Sequence, residues 1–221
     1  MLINTDAIVL HRMKYKNSSL IARLFTKDEG KISIVVNGAI SKKGNLFGVI
    51  EPTNIIKLNY YKRNNGSLQT CQEASFISNN LFIKKDILKL TVALAIVELI
   101  DKTVHENDYN INIYHLANET LNVLNNTMQN PKLILSFFLL KIIKELGFMP
   151  NLANGEEIIS QEIKKDILIL EQSTIDSLNT ISFTSNNDID IITFFENYIQ
   201  KHLKLNKEIQ SLNAIKDLAC G

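Results

Sequence analysis

The 221-residue chain is 45% hydrophobic and carries 24 Lys and Arg against 23 Asp and Glu, enough apolar material for a proper core in two modest domains or one large one. Cys71 and Cys220 are its two cysteines, too few for a disulfide framework or a thiolate zinc site, which fits a reducing compartment. A net charge of +1 argues by itself against a polyanion partner, but residues 1–83 hold eleven Lys and Arg against five Asp and Glu, a net of +6, and residues 84–221 a net of −5.

A basic half joined to an acidic half suggests that the first meets phosphates while the second repels them or meets a protein. No charged n-region followed by an apolar stretch opens the chain, because Asp6 and His11 interrupt it early, so a cytoplasmic protein without a secretory signal is expected. The greasiest windows, Leu90–Ile100 and Leu133–Ile143, contain Glu98 and Lys141 and fall short of the roughly 20 apolar residues that cross a bilayer. They read as buried helices, and no membrane contact is expected.

Five strand candidates come first: Ile3–Met13, Leu20–Thr26, Lys31–Val36, Asn54–Tyr61 and Ser67–Phe76. In the third, apolar side chains recur at every second position, Ile32, Ile34 and Val36, as they must when one face packs on a core and the other meets water. Lys27–Gly30 marks a turn, with Gly30 able to take a positive φ. Asn64-Asn65-Gly66 is a hairpin signal, since Asn-Gly accepts the two positive φ angles of a type I′ turn. Between the third and fourth strands lies a basic loop around Ser41-Lys42-Lys43-Gly44-Asn45 without periodicity. Five short strands with such a loop predict a partly open five-stranded Greek-key barrel, the OB-fold, whose face and loops commonly bind oligonucleotides.

After Ser78-Asn79-Asn80 the period lengthens to about 3.6, which predicts an α+β chain with a barrel domain over 1–79 and an all-helical domain over 80–221. Asp86–Asp101 is apolar nearly all round, as a central helix packed on several sides would be. Ile113–Met128 is a more polar helix. Asn130 with Pro131 opens a third, which Gly147 and Pro150 close. Ser160–Leu170 and Thr174–Leu178 are shorter pieces, Ser182–Asn187 reads as a loop, and Ile189–Leu203 is predicted as the final long helix.

No nucleophile elbow, phosphate-binding glycine loop or HExxH helix is present, so the chain does not read as an enzyme and no cofactor is expected. The four histidines are scattered. His115 and Glu119 form one i, i+4 pair on a polar helix, where a solvated face accounts for them as well as a metal does. Cys71 reads as a packed, inert thiol.

The basic set is the constellation that asks for a ligand. Arg12, Lys14 and Lys16 stand two apart and would project from one strand face as a cationic row. With Arg23, Lys42, Lys43, Lys62 and Arg63 they form a surface expected to hold a nucleic-acid backbone without reading sequence. Binders of single strands add aromatic faces on which bases stack. Tyr60 is in phase with Ile56 and Leu58 and should be core, which leaves Tyr61 as the stacking candidate. In the last helix Ile191, Phe195, Tyr198, His202 and Leu205 make an apolar stripe whose ordinary explanation is core packing. Lys201, Lys204 and Lys207 beside it suggest a groove for an acidic peptide ending in a hydrophobic residue, with Phe195 in its floor.

Several runs resemble the RecO recombination mediators of bacteria. These are Ala7-Ile8-Val9-Leu10, Tyr15 with Ser18-Ser19-Leu20, Leu24-Phe25-Thr26-Lys27, Gly30-Lys31, and Gly38 with Ser41-Lys42-Lys43. Phe47–Asn59 and the Asn-Gly hairpin continue the likeness, as do Leu146-Gly147-Phe148-Met149-Pro150 and Tyr198 with His202-Leu203 and Ser211-Leu212. The resemblance implies an N-terminal OB-fold that binds single- and double-stranded DNA and a helical domain that meets proteins. Its partners would be RecR, often RecF, and the acidic, hydrophobic C-terminal tail of the single-strand binding protein. It also implies annealing of complementary strands, loading of RecA onto DNA coated by that protein, and a place at the nucleoid. The chain departs from the family where many members carry four zinc-binding cysteines, since Asn151–Glu157 and the stretch near Phe183 contain none, so zinc is not expected. Asn17 stands where Glu is usual and Gln210 where Lys is frequent. An OB-fold RNA-binding protein with a helical protein-interaction domain stays open beside this reading, because a cationic barrel does not distinguish DNA from RNA. So does an adaptor whose basic face docks an acidic protein.

Overall fold

The predicted strands form as β1 (Leu2–Tyr15), β2 (Ser19–Thr26), β3 (Gly30–Val36), β4 (Ile55–Tyr61) and β5 (Leu68–Ser78), each within a few residues of its expected span, with buried and less buried residues alternating through most of β3 and β4. The computed structural model describes residues 1–41, 46–63, 68–152, 160–181, 183, 187–203 and 208–220. The strands close in the order β1-β2-β3-β5-β4, with β4 returning to β1. The β3–β5 pairing is parallel and the others are antiparallel. This is the five-stranded barrel predicted, closed rather than partly open. The Asn64-Asn65-Gly66 turn and most of the basic loop, including Lys42 and Lys43, lie outside the described residues.

Ala7, Val9, Ala22, Leu24, Ile34, Leu58 and Tyr60 fill the barrel interior, and α1 (Leu46–Val49) brings Val49 and the following Ile50 against them. β1 is long because it serves two neighbours: Leu2–Ile8 pair with β4 and Ala7–Tyr15 with β2. Its register slips between Val9 and His11. This bulge leaves Leu10 unpaired and reverses the inside-outside parity of everything after it.

α2 (Leu81–Lys84) leads into α3 (Ile87–Thr103), and α4 (Ile111–Asn126) follows. The residues form two compact units, one of Met1–Leu81 with Val97–Asn118, the other of Phe82–Ile96 with Glu119–Gly221. The end of α3, the start of α4 and the segment 104–110 between them therefore belong with the barrel. That segment lies along the start of β3, where the Asn107 amide donates to the Lys31 carbonyl at 2.8 Å and Lys31 bridges Glu106. Gly30 makes the approach possible. Its φ is +72°, and a Cβ there would stand 2.2 Å from the Asp108 carbonyl oxygen. Tyr114 covers Phe25 with ring centroids 6.2 Å apart, and Phe25 and its cross-strand partner Ile8, outside the barrel, are fully buried.

In the second unit α5 (Pro131–Glu145) is the hub, with eight consecutive buried residues from Leu133 to Leu140. α6 (Gln161–Gln172), a 3₁₀ turn (Asp176–Thr180), α7 (Asn187–Leu203) and α8 (Gln210–Cys220) complete it, and α5 packs on α6 and α7. The predicted ends of α5 hold. Asn130 Oδ1 accepts from the Lys132 amide at 3.0 Å with Pro131 beside it, and Gly147, at φ +80°, closes the helix through Gly147 N to Lys144 O and Phe148 N to Ile143 O, each 3.0 Å. α8 is an addition: the chain makes another helix after α7, driven by buried Ile209, Leu212 and Ile215 at three-residue steps.

Candidate nucleic-acid interface

Because β1 changes parity at the bulge, Arg12 pairs with the core residue Ala22 and points to the end of the barrel rather than to its side. Its Nη1 donates to the carbonyls of Phe47 at 2.5 Å and Ile50 at 3.1 Å, and the guanidinium lies 4.2 Å from the Phe47 ring centroid. Arg12 thus fastens α1 over the core. Lys14 shares its face and is exposed. Lys16 does not continue the row. It sits in the β1–β2 turn at φ +52°, exposed, with its ammonium 5.2 Å from the Tyr15 ring centroid. Lys14 and Lys16 have no ion-pair partner among the described residues. The turn carrying Lys16 is tied to the one after β3, since the Ile40 amide donates to the Ser18 carbonyl at 3.0 Å.

Arg23 faces outward from mid-β2, but it is not free. Its Nε donates to Asp101 Oδ1 at 2.7 Å and its Nη2 to Oδ2 at 2.6 Å. Lys31 is buried on the same side, donating to the Asp101 carbonyl at 2.7 Å. Burial pushes its ammonium pKa below the usual value and the Asp101 carboxylate opposes that shift. His11, paired with Arg23, is held below the ordinary imidazole value first by burial, then by the Arg23 charge, against the pull of Asp101. Lys62 is exposed and pairs with Glu29 at the β2–β3 turn. Arg63 is exposed next to it. β2 has eight residues, so by the path along β2 these two lie about 26 Å from the Lys14–Lys16 end. The described cations therefore do not form one cluster: Lys14 and Lys16 mark one end of the barrel, Lys62 and Arg63 the other, and Arg23 between them is paired.

What links the two ends is a row the sequence reading missed. Met13 pairs with Ile21, Ile21 with Val35, Val35 with Thr70 and Thr70 with Tyr61, one outward residue from each strand. Met13 is 50% exposed and Tyr61 47%, and the three between are partly exposed. With strands about 4.8 Å apart the row runs about 19 Å round the barrel. Tyr60 is core and Tyr61 is exposed, as their parity predicts. Alternation in the sequence contains this row, but only the register aligns it. Cys71 packs toward the interior, and burial, with a smaller push from Glu73, raises its thiol to about 11.

In the helical unit Phe195 is fully buried, with its ring centroid 5.2 Å from that of Phe194. It is core and offers no surface to a peptide, as the ordinary reading of an apolar stripe has it. Lys201 is exposed. Lys204 and Lys207 lie outside the described residues.

The description "Recombination protein O N terminal" matches residues 1–80, and "Recombination protein O C terminal" matches residues 84–162. The chain belongs to the RecO family. Similar curated proteins, each named DNA repair protein RecO, include one from Flavobacterium psychrophilum, 28% identical over 99% of both chains. One from Pelodictyon phaeoclathratiforme is 27% identical over 72% of this chain and 62% of its own length. One from Chlorobaculum parvum is 30% identical over 69% and 58%. The match thus spans about six-tenths of the last two relatives. The first RecO segment contains the barrel and its outward row. Phe195 and Lys201 lie beyond both matched segments. Among the described residues no helix is long and apolar enough to cross a membrane.

Proposed function

We propose that this RecO protein acts in DNA repair and homologous recombination. It binds single- and double-stranded DNA, anneals complementary strands and, with RecR, helps load RecA onto DNA coated by the single-strand binding protein. Family membership over the barrel supports the reading, and so does one structural observation: an outward row from Met13 to Tyr61 with exposed Lys14 and Lys16 at one end and Arg63 at the other. Such a row offers apolar and aromatic surface to bases while flanking cations hold phosphates. In this reading residues 1–79 hold the nucleic acid and residues 80–221 meet proteins, including RecR, the acidic tail of the single-strand binding protein and, in some settings, RecF. No bond-making chemistry is needed. The protein works in the cytoplasm at the nucleoid.

The test is annealing of complementary DNA strands coated with the cognate single-strand binding protein, intact or lacking its C-terminal tail, with RNA strands as competitors. Faster annealing that depends on the tail, with DNA preferred, is the expected result. Equal affinity for RNA and DNA without annealing would replace the reading by that of an RNA-binding barrel.

A further inference from the structure

On the outer face of the barrel Arg23 and Ser33 are direct partners across β2 and β3. Ser33 Oγ donates to Glu106 Oε1 at 2.7 Å, in an exposed setting. Arg23 uses Nε and Nη2 on Asp101, while its Nη1 has no partner among the described residues and its side chain is 35% exposed. The next outward pair along the same strands is Ile21 with Val35, in the middle of the Met13–Tyr61 row, about 7 Å away. A hydroxyl and a guanidinium N–H thus stand side by side, one step from an apolar row, and a carboxylate from the segment 104–110 occupies the hydroxyl. That segment is exposed from His105 to Tyr109, and Asn107 within it takes φ +62°. Carboxylate and phosphate oxygens accept from the same donors, so a phosphate can take over a hydroxyl bond of this kind in exchange for the carboxylate.

We propose that Glu106 occupies a phosphate position: a bound strand displaces its carboxylate and sets one phosphodiester between Ser33 Oγ and Arg23 Nη1, with the adjoining bases over Ile21 and Val35. This rests on the nucleic-acid reading above and adds to it a site, formed by Arg23 and Ser33, that the chain's own acidic segment holds closed. Asp101 is then a positioning residue, fixing the guanidinium so that Nη1 faces outward.

Fluorescence anisotropy of a labelled oligothymidylate, titrated with the full chain at several salt concentrations, tests it. Glu106→Ala should tighten binding roughly fivefold and steepen the dependence of log affinity on log salt by about 0.7, one more phosphate engaged. Adding Ser33→Ala should remove that gain. Asp108→Ala deletes an equal charge two residues away with no tie to Ser33 and should give a smaller change. Thermal melts of each variant check that it is folded. An unchanged affinity and slope for Glu106→Ala in a protein that binds overturns the proposal, as does an equal gain from Asp108→Ala. If neither the wild type nor any variant binds at low salt, the nucleic-acid reading itself fails.

Discussion

Arg23 on β2 and Asp101 on α3 meet side-on, with Nε 2.7 Å from Oδ1 and Nη2 2.6 Å from Oδ2. The carboxylate also stands 3.9 Å from the buried ammonium of Lys31. One acidic side chain therefore serves two cations within the barrel unit. Asp101→Asn should lower the stability of that unit by about 2 kcal/mol, because Arg23 loses its ion pair and Lys31 stays buried with only Glu106 as counter-charge. A urea titration that moves the midpoint without changing the slope would bear this out.

Gly30 has no tolerated replacement. A Cβ there meets the Asp108 carbonyl at 2.2 Å, and φ of +72° is itself unfavourable for a side chain. Gly30→Ala should cost at least about 2 kcal/mol and speed amide exchange at Asn107, whose N–H is bonded to Lys31. Protection at Asn107 equal to that of the wild type would show that the segment adapts.

The opposite sign is expected at Ser136. It is fully buried in α5 and its hydroxyl has no hydrogen-bond partner among the described residues. Ser136→Ala removes an unsatisfied polar atom and improves helix propensity, so it should stabilise by about 1 kcal/mol. Thermal denaturation reads this directly, and a lower melting temperature would mean that the hydroxyl is satisfied in solution.

Burial raises the Asp188 carboxyl above the ordinary carboxylate value, against the bond donated by Asn130 Nδ2 and the charge of Lys132. A group whose folded pKa is raised binds its proton more tightly in the folded state. Its contribution is therefore greatest below about pH 4 and is lost as pH rises through the folded value. Asp188→Asn should make the protein more stable than the wild type at pH 7, with the advantage shrinking toward pH 4. Paired denaturant titrations across that range test the sign, and a variant less stable at pH 7 would reverse it.

Strand parity was legible wherever alternation ran unbroken, which is why Tyr60 and Tyr61 fall on the sides predicted and β3 buries Ile32, Ile34 and Val36. It failed at Leu10. One unpaired residue reverses the faces of β1, and nothing in the local sequence separates a bulge from a continuing strand, so Arg12 read as a surface cation while it fastens α1. The pairing of Arg23 was hidden for another reason: Asp101 is 78 residues away, and a count of charges does not show which are already matched. Lys62 and Glu29 repeat the lesson. Phe195 and its stripe were ambiguous because a core face and a docking groove have the same period, and only burial tells them apart. The chain's capping signals at Asn130, Pro131 and Gly147 were readable because their chemistry is local.

In the proposed function the Lys14–Lys16 end of the barrel and the adjoining outward row hold a nucleic-acid backbone. The salt dependence of single-stranded oligonucleotide binding by Lys14→Ala/Lys16→Ala, set beside that of the wild type, tests it most directly. Both lysines are exposed, so the melting temperature should not move, while the slope of log affinity against log salt should fall by about 1.4, two phosphate contacts on a single strand. An unchanged slope, with affinity intact, would contradict the assignment.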